Sequence, residues 1–123
     1  MLDFWATWCG PCRRALPSLQ EFANWASESG KPIKVCAVNV WQHEPSDAEK
    51  TEAVRRFWSQ AGYTMPALLD LDDKVAAKFG VRVIPTTFLI DPQGRIASIH
   101  TGFSADMVER LKAEAEEALE QSQ

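Results

Sequence analysis

Two thiols, Cys9 and Cys12, are separated by Gly10 and Pro11 and preceded by Trp8, at the point where a short apolar run gives way to a helical pattern. Cysteines so spaced at a helix start can close a disulfide within one turn, which makes them a reversible two-electron switch. The attacking species is the thiolate. An ordinary cysteine, with a pKa of about 8.5, is only ~3% ionised at pH 7, whereas a value of about 7 makes roughly half of it reactive. The unpaired N–H groups and positive dipole end of the helix favour an anion on Cys9. Pro11 suits the first turn because the N–H it lacks has no partner there. Cys12, one turn in, is expected to be more buried and to act as the resolving thiol. Arg13 and Arg14 follow directly and oppose the dipole; they read either as a solvated face or as positive potential stabilising a Cys9 thiolate.

The rest of the composition narrows the chemistry. With 123 residues, 46% of them hydrophobic, the chain is expected to form one domain over residues 1–123 with a substantial core. A net charge of −4, with no basic stripe, phosphate-binding glycine loop or long apolar span, argues against nucleic acid and anionic membranes as partners. Proteins and small thiols fit better, and no cofactor is called for. Three cysteines are an odd number, so a purely structural disulfide framework is not expected. Cys36 lies in the apolar stretch Ile33 to Val40 and reads as an inert buried thiol. The first residues, Met1 to Trp5, already look like a strand and carry no leader pattern, so the domain reads as N-terminally truncated.

These residues need a scaffold, and the periodicity supplies one. Residues 1–6 read as a strand. From Pro11 to Ser29 the apolar positions Ala15, Leu16, Leu19, Phe22, Ala23 and Ala26 repeat at helical spacing, with Pro17 predicted to kink the helix and Gly30 to end it. Ile33 to Val40 is a second, nearly all-apolar strand, which completes a βαβ unit. Ser46 and Glu49 form a capping-box pattern for a helix running to Gly62. Tyr63 to Leu69 looks extended, although Pro66 argues against a central strand. A short helix over Asp72 to Phe79 precedes two strands, Thr86 to Ile90 and Arg95 to His100, joined by the turn Asp91-Pro92-Gln93-Gly94. A last helix starts near Ser104. The fold class is therefore α/β, with a central mixed sheet flanked by helices.

With the motif placed between strand and helix, the segment Asp3 to Cys12 resembles the active-site segment of the thioredoxin superfamily. Ile84-Pro85-Thr86-Thr87-Phe88-Leu89-Ile90-Asp91, ahead of Gly94-Arg95-Ile96, is similar to the cis-proline segment of its exported branch, typified by TlpA and ResA, as are the inserted helix and Pro66 to Asp70. The resemblance covers nearly the whole chain and implies a thioredoxin-like fold without its leading β-hairpin. It implies a thiol:disulfide oxidoreductase, acting as a reductant, in which Cys9 attacks a substrate disulfide and Cys12 resolves the mixed disulfide. Ile84-Pro85 would be a cis peptide facing the thiols, whereas by itself Pro85 reads as an ordinary proline at a strand start. The Ile84 backbone would pair with an extended substrate segment. Trp8, Gly10, Pro11, Ile84 and Pro85 are thus the expected substrate contacts. Asp3 falls where the family carries a buried acid that accepts the Cys12 proton; the alternative is a plain exposed terminal aspartate. The resemblance also implies disulfide-containing protein substrates, a membrane or soluble thiol reductant, and a periplasmic or other extracytoplasmic setting.

Two departures from the branch stand out. Ala15 occupies the place of a frequent glutamate, and Ala37 the approximate place of a lysine near the acid. Without the leading hairpin, the outer edge of the Ile33 to Val40 strand is expected to be unpaired and to invite self-association. Two other functions share these residues. A metal-binding module could draw on Cys9, Cys12, Cys36, His43 and His100, although neither histidine has the paired spacing of a closed zinc site. A thiol peroxidase of related fold would need its thiol in a different, threonine-containing pocket.

Overall fold

In the computed structural model, which describes residues 1–121, a five-stranded sheet carries helices on both faces. In chain order the elements are β1 (Leu2–Trp5), α1 (Gly10–Glu28), β2 (Cys36–Asn39), α2 (Asp47–Ala61), β3 (Ala67–Leu69), α3 (Lys74–Lys78), β4 (Thr86–Ile90), β5 (Ile96–Thr101) and α4 (Met107–Glu120). The spatial order is β3-β2-β1-β4-β5. β1, β2 and β3 are parallel, whereas β4 runs antiparallel to β1 and β5 to β4. This is the expected mixed sheet of a βαβ unit and a C-terminal hairpin.

Strand alternation sorts the core into two layers. On one face Trp5, Ala37 and Leu89 pack against Cys12, Leu16, Leu19 and Phe22 of α1, Val54 of α2 and Leu111 and Ala115 of α4. On the other, Phe4, Val38 and Phe88 pack against Ala76 of α3 and the neighbouring Phe79. Trp5 is fully buried, with Phe57 and Trp58 of α2 tilted against it at 5.4 and 5.1 Å between ring centroids.

Local chemistry explains the element ends. Ser46 Oγ accepts the Glu49 N–H at 3.1 Å, and Gly62 closes α2 at φ 74°, a left-handed geometry that costs glycine little. α1 runs on through the exposed Pro17, where only the hydrogen bond to Arg13 O is forgone. The turn at Asp91 closes with a Gly94 N–H donated to Asp91 O at 3.0 Å. α4 starts at Met107, three residues later than expected, because Ser104 to Asp106 form a turn in which Met107 N–H is donated to Ser104 O.

Three expectations are overturned. The second strand is shorter than Ile33 to Val40: ladder pairing with β1 begins at Leu2 opposite Cys36, and before it Ile33 N–H turns back to Lys31 O at 2.8 Å while Lys34 O accepts from the N-terminal amine of Met1, at 2.8 Å. Its outer edge is also not free. β3 lies along it, with Ala37 N–H donated to Pro66 O and Asp70 N–H to Asn39 O, both at 2.9 Å, so the unpaired edge expected to drive self-association does not exist. Pro66 supplies only its carbonyl to β2, which is how a proline opens a strand there. Cys36, at the start of β2, is a free thiol and half-buried instead of fully buried.

Candidate active site

The end of β1 feeds directly into the motif. Cys9 is the N-cap of α1, with extended backbone at φ −87° and ψ 110°, and its Sγ accepts the Cys12 N–H at 3.2 Å. The helix start thus aims a backbone donor at this sulfur, as an anion there requires. Cys9 and Cys12 are joined by a disulfide, with Cα atoms 5.2 Å apart. Cys12 is fully buried; Cys9 is nearly so and opens toward a rim formed by the exposed Trp8, Gly10 and Pro11.

The rim is completed from far along the chain. Ile84-Pro85 is a cis peptide, Pro85 is fully buried, and Ile84 O lies 3.7 Å from Cys9 Sγ. Pro85 O accepts the Gly102 N–H at 2.8 Å, which ties the following loop, with its exposed Phe103, to the same place. The expected contacts Trp8, Gly10, Pro11, Ile84 and Pro85 therefore converge on Cys9. Of the two arginines, Arg14 folds back over Gly10, its Nη1 3.6 Å from where a Cβ on that residue would sit, while Arg13 lies over the Phe57 ring at 5.9 Å.

Asp3 is not an exposed terminal residue: it is fully buried in β1, one alternation from Trp5 and so on the α1 face of the sheet. Burial pushes its carboxyl up to about 7, although a hydrogen bond donated by Thr87 Oγ1 to Oδ1 at 2.9 Å works the other way. Oδ2 has no hydrogen-bond partner among the described residues. Such a carboxyl can take up and release a proton near neutrality. Thr87, which the sequence marks only as part of the cis-proline segment, sits opposite Asp3 in the β1–β4 register. Strand pairing would have identified it, and the register is not written in either segment alone.

A second group missed from sequence is the loop after β2. Gln42 is buried and ties this loop to the motif: its Oε1 accepts from Thr7 N–H at 3.1 Å and Asn39 Nδ2 at 2.8 Å, while its Nε2 donates to Thr7 Oγ1 at 2.5 Å and Glu44 Oε1 at 3.0 Å. Trp41 has a left-handed φ of 52° and its N–H is donated to Asp73 Oδ1 at 2.8 Å. Its carbonyl accepts from Trp8 Nε1 at 2.8 Å, and the His43 ring stacks on Trp8 with centroids 4.5 Å apart and planes 16° from parallel. His100 lies elsewhere, paired with Glu114 Oε2 at 2.6 Å. Among the described residues no group of three or more His, Cys, Asp or Glu side chains could hold a metal ion. A groove of about 660 Å³ between α2 and β3, lined by Val54, Trp58, Tyr63 and Met65 among others, includes neither sulfur. No described helix is long and apolar enough to cross a membrane.

The comparisons with known proteins agree with this geometry. The family model described as Redoxin matches residues 1–119. The chain is similar to the thiol-disulfide oxidoreductase ResA of Geobacillus thermodenitrificans, 38% identical over 101 residues that cover 82% of this chain and 53% of that protein. It spans about half the length of the curated relatives it matches. Among solved structures, it is similar to a candidate thiol:disulfide interchange protein DsbE from Chlorobium tepidum, with a TM-score of 0.79, 34% identity and coverage of 96% of this chain and 77% of that one. It is also similar to the exposed lipoprotein thioredoxin of Streptococcus pneumoniae, with a TM-score of 0.72, 30% identity and coverage of 94% and 82%.

Proposed function

The chain belongs to the redoxin family, as a TlpA/ResA-like member of the thioredoxin superfamily, and from that premise we propose that it is a thiol:disulfide oxidoreductase that reduces disulfides in protein substrates. The observation that carries this reading is the Cys9–Cys12 disulfide at the start of α1, with Cys12 N–H directed at Cys9 Sγ and Ile84 O beside it. In the reduced form the Cys9 thiolate attacks one sulfur of a substrate disulfide, forming a mixed disulfide and expelling the other sulfur as a thiolate. Asp3 takes the Cys12 proton, and the Cys12 thiolate attacks Cys9 Sγ. The Cys9–Cys12 disulfide closes and the second substrate sulfur leaves. Two electrons pass to the substrate, whose thiolates take up protons from solvent. A membrane or soluble thiol reductant then returns two electrons to Cys9 and Cys12.

Burial divides the labour. Cys12 lies out of solvent beneath the rim, so an incoming disulfide reaches Cys9 first. The Ile84 backbone, whose carbonyl lies beside Cys9 Sγ, pairs with an extended substrate segment, with Trp8, Gly10, Pro11 and Pro85 around it. Similarity to an exposed lipoprotein thioredoxin supports an extracytoplasmic setting, the periplasm or its equivalent. The test is a pair of variants. Cys12→Ser accumulates a mixed disulfide with insulin on Cys9, seen as a reductant-sensitive mass increase, and Cys9→Ser accumulates none. Insulin reduction at the unaltered rate by both variants overturns the assignment.

A further inference from the structure

Cys9 Sγ is nearly buried, so a polypeptide that brings a disulfide to it must rest on the side chains around it. Among these Trp8 is the largest apolar surface, 47% exposed and adjacent to Cys9 in the chain. Its orientation is fixed from outside the motif. The indole N–H is anchored on Trp41 O, one face of the ring is covered by His43, and the backbone that presents both is braced by Gln42 and Asp73. The Trp41 hydrogen bond fixes one point of the ring, and stacking fixes its plane. We propose that His43 is a positioning residue, which by stacking on Trp8 holds the indole as a wall against which polypeptide substrates, but not small disulfides, dock beside Cys9.

The substrate class follows from the chemistry of that wall. A flat indole face favours a cysteine-bearing segment with an aromatic or aliphatic side chain beside the attacked disulfide. A small, polar disulfide reaches Cys9 without touching it. His43 acts on binding and not on the sulfur chemistry, because Cys9, Cys12, Asp3 and Ile84 make none of their hydrogen bonds to it. Freed of its stacking partner, the indole occupies the docking orientation for a smaller fraction of the time, and apparent affinity falls by that fraction.

This inference rests on the oxidoreductase reading, and the experiment separates the two. Pre-reduced protein is mixed with excess insulin or excess hydroxyethyl disulfide, and its oxidation is followed by acid quench, alkylation and mass. For His43→Ala the half-saturating insulin concentration rises by about threefold to tenfold, the size expected for loss of one aromatic stack, with the limiting rate unchanged. The rate with hydroxyethyl disulfide stays the same, and His43→Phe, which restores a ring, behaves like the unaltered protein. Unchanged insulin saturation in His43→Ala, an equal loss with both substrates, or failure of His43→Phe to rescue overturns the role of His43. Inactivity of the unaltered protein toward both disulfides instead overturns the oxidoreductase reading, and this inference with it.

Discussion

Replacing Asp3 by asparagine removes the titration of a buried carboxyl while keeping its shape, and its effect on stability is fixed in sign by the burial. In the folded chain the group titrates at about 7 against 3.8 when free. Between those values the native state holds a proton that the unfolded chain has released, so stability falls as pH rises through the window and levels off above the folded pKa. The loss is largest once the carboxyl is ionised in both states. At about 1.4 kcal/mol per pH unit, the interval amounts to roughly 4 kcal/mol, and full burial leaves no solvent screening to discount. The asparagine amide places an N–H where Oδ2 now lacks a partner, which costs about 1–3 kcal/mol at every pH and shifts the level without changing the slope. Urea unfolding of the oxidised protein and of Asp3→Asn from pH 4 to pH 8.5 gives the difference, in which all other titrating groups cancel. The stability of Asp3→Asn relative to the unaltered protein should climb by up to about 4 kcal/mol across that range. A difference that stays constant within about 1 kcal/mol refutes the raised carboxyl, and with it the proton transfer from Cys12.

Other substitutions probe the scaffold. Ser46→Ala deletes the N-cap acceptor for Glu49 N–H and should lower stability by about 1 kcal/mol in urea unfolding, with insulin reduction unchanged. Leu16→Ala opens a cavity in the fully buried layer beneath α1 and should cost about 2–5 kcal/mol in the same measurement.

Much of the scaffold was legible because its signals are local. The Ser46–Glu49 cap, Gly62, the Asp91 turn and the helical spacing of Leu16, Leu19 and Phe22 each state their structure within a few residues, and each element lies within a few residues of its expected place. The mistaken free edge came from a non-local fact. Ala67 to Leu69 is a short segment that could pair anywhere, and only the assembled sheet shows that it lies along β2. The site divides in the same way. Cys9 and Cys12 announce themselves by spacing, whereas the burial of Asp3 depends on Thr87 and on the helices above it, far off in sequence. Gln42 and His43 carry no motif at all; their contacts with Thr7 and Trp8 arise because β1 and β2 end side by side.

The brevity of β3 has a colloidal consequence. Because Pro66 and Asp70 spend their backbone groups on β2, only Ala67 and Leu69 turn theirs outward along that flank. A template of two residues is too short to recruit a foreign strand into a growing stack, and its proline start blunts it further. The β3 flank therefore offers a foreign chain little backbone to pair with, which leaves β5, six residues long, as the edge along which a strand could add.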